Sequence, residues 1–144
     1  MKYTPKIFVT VDVTLFRKID NTHQILLIKR LNNPFKDYWA LPGGFVDEGE
    51  DLETAAKREL FEETDIKIYQ IKQIKAYGNP NRDPRSHTLS IAFYGLTDTL
   101  SIAKAKDDAK EVKWFSINEL PALAFDHSEI IRDAIETFVN TSNL

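Results

Sequence analysis

Cysteine is absent from all 144 residues. That excludes disulfides, thiolate nucleophiles and any zinc or iron–sulfur centre held by cysteine, and it fits a reducing compartment. No apolar run approaches the roughly 20 residues that a membrane helix requires. The opening MKYTPKIFVTVDVTLF is too interrupted by threonine and aspartate to form a signal-peptide core. A large charge of one sign is lacking too. The formal net charge is −3, so the molecule as a whole has no field suited to nucleic acid or an anionic membrane. What remains is a cytoplasmic enzyme or binding module, with neither nucleic acid nor membrane expected as a partner.

What is present suffices for one core. A hydrophobic fraction of 42% over 144 residues is ordinary for a globular chain that buries about two-thirds of its unfolded surface. No repeat, low-complexity segment or linker divides it, so residues 1–144 are read as a single domain.

From Lys6 to Phe16 the sequence alternates. Ile7, Val9, Val11, Val13 and Leu15 take one side, and Phe8, Thr10, Asp12, Thr14 and Phe16 the other. Period two predicts a strand with the odd set facing the core. Asp20 to His23 reads as a turn and Ile25 to Leu31 as a buried strand, expected to pair with the first. Asn32 to Trp39 reads as a loop that runs into a glycine-rich turn at WALPGG. A helix is predicted over Asp51–Glu63, then a strand over Ile66–Gly78 and a loop at NPNRDPRS, Asn79–Ser86. HTLSIAFYGL and KEVKWFS supply further strands. The last element, DHSEIIRDAIETFV, carries apolar residues at helical spacing, and Asp126 with Glu129 has the form of a capping box. This order predicts an α+β domain with a mixed sheet.

The stretch Gly43–Ile66, GGFVDEGEDLETAAKRELFEETDI, holds nine acidic residues in 24. Glu59, Glu62 and Glu63 crowd the C-terminal end of the predicted helix, where the macrodipole disfavours anions, and like charges one turn apart add a similar penalty. At about 100° per residue the three fall within an arc of about 100°. Leu52, Ala55 and Ala56 share that arc, so the carboxylates continue the inward-facing stripe instead of opposing it. Partial burial demands a counter-charge, and Arg58 alone cannot neutralise three glutamates. A divalent cation can, and oxygen ligands suit magnesium, with manganese as an alternative. The adjacent Gly43 and Gly44 bring bare backbone close to whatever such an ion holds.

Gly44, five residues, Glu50, seven residues and then RELFEETDI from Arg58 to Ile66 resemble the Nudix box, G-x5-E-x7-R-E-U-x-E-E-x-G-U. Every fixed position matches except Asp65, which stands where the pattern has glycine. The resemblance implies an α/β/α sandwich with a loop–helix–loop motif, and Mg2+-dependent hydrolysis of a nucleoside diphosphate linked to another moiety. It implies metal ligation by Glu59, Glu62, Glu63 and the Gly44 carbonyl, with Glu50 and Arg58 paired to brace the loop. Glu62 or Glu63 is then the candidate base, with Glu111, Asp107 and Asp108 as alternatives outside the box.

From about Pro34 to Ile131 the chain also resembles the bacterial ADP-ribose pyrophosphatase-type branch, which implies ADP-ribose cleaved to AMP and ribose 5-phosphate. Arg82 and Arg85 flank Asp83–Pro84, where a rigid turn presents two guanidiniums to a phosphate. Gly43 joins them as a substrate contact, with Phe8 and Phe93 among the aromatic residues offered to a base, beside Tyr77 and Trp114. His127, following Asp126, is read as structural. Other nucleotides (oxidised triphosphates, NADH, sugar nucleotides, diadenosine polyphosphates) share the same chemistry. Non-catalytic ADP-ribose sensors share the loop but carry an added winged helix, for which this chain is expected to have no room. A homodimer is an expectation from similar enzymes.

Overall fold

The alternating N-terminal segment becomes β1, Phe8–Ile19, with partners on both edges and cover on both faces. The computed structural model describes residues 3–98, 102–106 and 109–140. Every residue from Val11 to Phe16 is buried, which corrects the expectation of a single core-facing set. The odd side does face a core: Val11, Val13 and Leu15 pack with Ala55, Ala56 and Leu60 of helix α1, Leu52–Thr64. The even side is covered as well. Phe16 joins a second core with Ile130, Ile131 and Ala134 of helix α2, His127–Ala134. The two helices thus lie on opposite faces of the sheet, the expected α/β/α sandwich of an α+β domain.

Asp20 and Asn21 both take positive φ, 48° and 66°, which suits a two-residue hairpin turn. β1 therefore folds back onto β2, Thr22–Arg30, but the two are paired only between Phe16–Ile19 and Thr22–Ile25. Beyond that they part. The N-terminal half of β1 takes up β4, Gly43–Phe45, while the far end of β2 takes up β3, Trp39–Ala40. A cleft opens where the hairpin splays. These short strands replace the glycine turn expected at WALPGG: Gly44 pairs with Val11 and Gly43 with Asp12.

On its other edge β1 runs parallel to β6, Thr88–Leu96. β5, Lys72–Tyr77, pairs with β6, and β7, Ala109–Ser116, pairs with β2. The predicted strand over Ile66–Gly78 is thus shortened to its second half, because Ile66 is drawn into the α1-side core instead. α2 continues into a π-helical turn, Ile135–Val139. Among the described residues no helix is long and apolar enough to cross a membrane.

Candidate active site

Helix α1 begins where Asp51 accepts hydrogen bonds from the amides of Glu53 and Thr54, at 3.1 and 3.3 Å. It ends at Asp65, which takes the left-handed conformation, φ 64°. That conformation is why glycine suits the position, and aspartate tolerates it better than most residues. The unfavourable charge at this end is met in several ways. The amides of Lys104 and Lys106 donate to the Thr64 and Glu63 carbonyls at 2.8 and 3.1 Å. The Lys106 ammonium reaches Asp65 at 3.2 Å and lies 4.3 Å from the centre of the Phe61 ring, so the outer side of the helix is partly covered too.

Arg58 is the hub of the acidic face. Its Nε and Nη2 donate to Glu50 at 2.7 and 2.9 Å, and Nη2 also reaches the Phe45 carbonyl at 3.1 Å. Its Nη1 donates to Glu59 at 2.8 Å and to Glu62 at 2.7 Å. The Arg58 guanidinium holds the Glu50 carboxyl down at about 2, whereas burial pushes Glu59 above the usual range. Glu63 is buried and accepts from the Gly43 amide at 2.7 Å. A Cβ on Gly44 would sit 2.5 Å from the Glu59 carboxylate, so any larger residue there would push that carboxylate aside.

Among the described residues no three carboxylates or imidazoles already stand at ligand spacing of one another. The donor set nevertheless fits a hard divalent cation. Glu59 and Glu62 converge on a single cationic atom, Arg58 Nη1, and Glu63 borders the same glycine strand, whose bare backbone lets the Glu59 carboxylate come close. Oxygen donors of this kind suit magnesium or manganese.

Glu59, Glu62 and Glu63 line a cleft of about 740 Å³, together with Gly43 and Gly44. Arg82 and Arg85 line the same cleft, but each is already engaged. Arg82 is buried and grips Asp126 through two bonds of 2.8 and 2.6 Å. Asp126 therefore makes no side-chain cap to α2, and the capping-box reading is corrected: the guanidinium takes the carboxylate. Arg85 is half-exposed and pairs with Asp83 at 2.7 Å.

Phe8 is half-exposed and stands outside the cleft lining; it meets Phe45, which does line the cleft, edge-on at 6.1 Å. Two further expectations are corrected. Phe93 lies in the α1-side core, 4% exposed, and has no face to offer a ligand. Glu111 sits on β7 outside the cleft lining, opposite Lys29 in register and paired with it at 3.4 Å. Tyr77 is also buried, with its hydroxyl on Asp133, and Trp114 faces Arg17. Asp107 and Asp108 lie outside the described residues.

Sequence reasoning missed Asp12, Ser90, Phe125 and Arg30, and gave His127 only a structural part. Asp12 and His127 both line the cleft. The one available signal was a carboxylate in the middle of an otherwise apolar and threonine-rich strand. Phe125 has a positive φ of 52° and sits with the guanidiniums of Arg30 and Arg85 at 5.0 and 5.5 Å from its ring centre.

Comparison with known proteins bears on this geometry directly. The family description NUDIX domain matches residues 9–137. The chain belongs to the Nudix family. An ADP-ribose pyrophosphatase of Methanocaldococcus jannaschii is 51% identical over 117 residues, covering 80% of this chain and 68% of the relative. An ADPR responsive transcriptional repressor of Acinetobacter baylyi is 34% identical, covering 94% of this chain but only 56% of the repressor. Among solved structures, the Nudix domain of Shewanella oneidensis NrtR complexed with ADP ribose superposes with a TM-score of 0.86 at 33% identity, covering 94% of this chain and 93% of that one. Nudix hydrolases generally use divalent metals, and the Nudix box of this chain, Gly44 to Ile66, is the segment built around Arg58.

Proposed function

We propose that this chain hydrolyses the pyrophosphate bond of a nucleoside diphosphate linked to another moiety, with ADP-ribose the leading substrate, AMP and ribose 5-phosphate the products, and Mg2+ the metal. The observation that carries the reading is the convergence of Glu59 and Glu62 on one cationic atom, with Glu63 held by the Gly43 amide, in the wall of a cleft large enough for a dinucleotide. Glu59, Glu62, Glu63 and the Gly44 carbonyl would hold the ion. When bound, it neutralises diphosphate oxygens and acidifies a water. Glu62 is the most exposed of the three carboxylates and is assigned to accept the proton of the attacking water. Arg58 keeps Glu59 and Glu62 aligned, and Glu50 keeps Arg58 in place. Phe45, on the cleft wall, offers the base an exposed aromatic edge.

The likeness to the ADP-ribose complex supports a second reading, a domain that binds the same nucleotide without cleaving it. One assay separates the two. AMP release is followed by chromatography over a panel of nucleotides, with and without Mg2+, for wild type and Glu63→Gln. Hydrolysis predicts that ADP-ribose leads the panel and that Glu63→Gln loses at least about a hundredfold in kcat. Binding without AMP release in any arm would establish the sensor instead.

A further inference from the structure

The segment running from β3 into β4 is held from both layers of the sandwich. Just ahead of α2, the Ala122 carbonyl accepts from the Trp39 amide at 3.1 Å, and the Ala124 amide donates back to the Trp39 carbonyl at 2.8 Å. Two residues on, the Leu41 amide donates to His127 Nδ1 at 3.0 Å. Pro42 lies at a bend, where its carbonyl accepts from Val13 at 2.9 Å. The next amide, that of Gly43, donates to Glu63 of α1 at 2.7 Å. The α2 layer and the α1 layer are thus joined through Leu41, Pro42 and Gly43, with a histidine at one end and a proposed metal ligand at the other.

Each part of that link is tightly constrained. Leu41 is buried, so its amide depends on the imidazole for an acceptor. Accepting at Nδ1 requires the neutral ring, and burial favours that form by lowering the His127 pKa. Pro42 has a fixed φ, which makes the link stiff as well as short. Gly43 has no space to move toward β1, because a Cβ there would overlap the Val11 carbonyl and meet Asp12 Oδ1 at 2.5 Å. Asp12 is itself fixed, with Oδ2 taken by the Ser90 hydroxyl and Oδ1 resting 3.6 Å from His127 Nε2. The ring's bond to the backbone leads out of its own helix and into the strand that carries Gly43. What His127 fixes is therefore the approach of that strand to Glu63.

We infer that His127 is a positioning residue for Glu63, acting through Leu41, Pro42 and Gly43. The inference rests on the hydrolase reading above and extends it: the first residue of α2, on the opposite face of the sheet, sets where one carboxylate of the acidic helix stands. In this role the imidazole needs no contact with a reacting group.

The test compares His127→Phe, which keeps a ring without an acceptor, with His127→Asn, whose side-chain oxygen stands near the Nδ1 position. Amide hydrogen exchange is followed by NMR in metal-free protein, and kcat and KM for ADP-ribose are measured at saturating Mg2+. In His127→Phe the Gly43 amide is expected to exchange at least about tenfold faster, over and above any change at the β6 amides. Its kcat should fall about tenfold while KM stays within about twofold. His127→Asn should recover both readouts to within about threefold of wild type. A merely structural histidine predicts otherwise: exchange rises equally across the sheet, and asparagine restores nothing. That result overturns the inference, as does a folded His127→Phe whose Gly43 exchange and kcat match wild type. Should His127→Phe not fold, His127→Leu also lacks the acceptor and takes its place under the same expectations. The exchange measurement needs no turnover. A wild type that releases no AMP therefore removes the hydrolase reading, while Gly43 exchange still decides the positioning.

Discussion

Arg58 makes five bonds of 3.1 Å or shorter, four to carboxylate oxygens and one to a carbonyl. The consequence is clearest at Glu50, whose carboxyl is held down from 4.5 to about 2 by that guanidinium. A depressed carboxyl stabilises the fold fully above its ordinary pKa, and that contribution is lost as pH falls from about 4.5 toward about 2. Thermal melts across that range should show stability falling with acid, and Glu50→Gln should flatten this part of the profile. Glu59 has the opposite sign, since burial raises it and protonation then favours the folded state. The two arginines of the loop differ in the same concrete way. Arg82→Ala strands a partly buried Asp126 and should cost about 3–5 kcal/mol in denaturant unfolding. Arg85→Ala removes a half-exposed guanidinium but leaves the buried Asp83 carboxylate without two of its bonds, the Arg85 backbone amide still donating to it, and should cost about 1–3 kcal/mol. If Arg82→Ala melts like wild type, the Asp126 clamp is not what holds the loop to α2.

At the scale of elements, α1 was the most legible part of the chain. Its acidic stripe, its start at Asp51 and its end at Asp65 all follow from residue order, because capping and helical periodicity act over a few residues. Asp51→Ala should cost about 1 kcal/mol in unfolding free energy, measurable in urea without change in metal affinity. Gly44→Ala should instead depress kcat by at least about tenfold, since the added carbon meets the Glu59 carboxylate at 2.5 Å. The short β3 and β4 could not be read from WALPGG, because a strand of two or three residues has no period of its own and exists only by pairing with β1 and β2. The burial of both faces of β1 was hidden for a similar reason. Threonine and aspartate on its even side look solvent-facing until Ser90, His127 and α2 are folded against them. Asp126 was misread because its partner, Arg82, lies 44 residues away. Phe93 looked like a ligand-binding aromatic because nothing in its neighbourhood of sequence reveals that α1 covers it.

For the whole molecule, the fold gathers three glutamates and two arginines around one cleft, although the formal net charge is only −3. Mg2+ binding to the folded form alone should raise the melting temperature in proportion to the logarithm of ion concentration, and EDTA should reverse it. Glu59→Gln should abolish most of that rise. No dependence of the melt on Mg2+ up to millimolar concentrations would count against a metal at the glutamates. The cleft itself exists because β1 and β2 stop pairing after Ile25, and the segment Trp39–Phe45 is wedged into the fork. Aperture is consequently a property of that wedge and not of the acidic helix. Lengthening or trimming the link between Ala40 and Gly43 is the route by which such a scaffold can be refitted to bulkier or slimmer nucleotides while its bond-breaking carboxylates stay where they are.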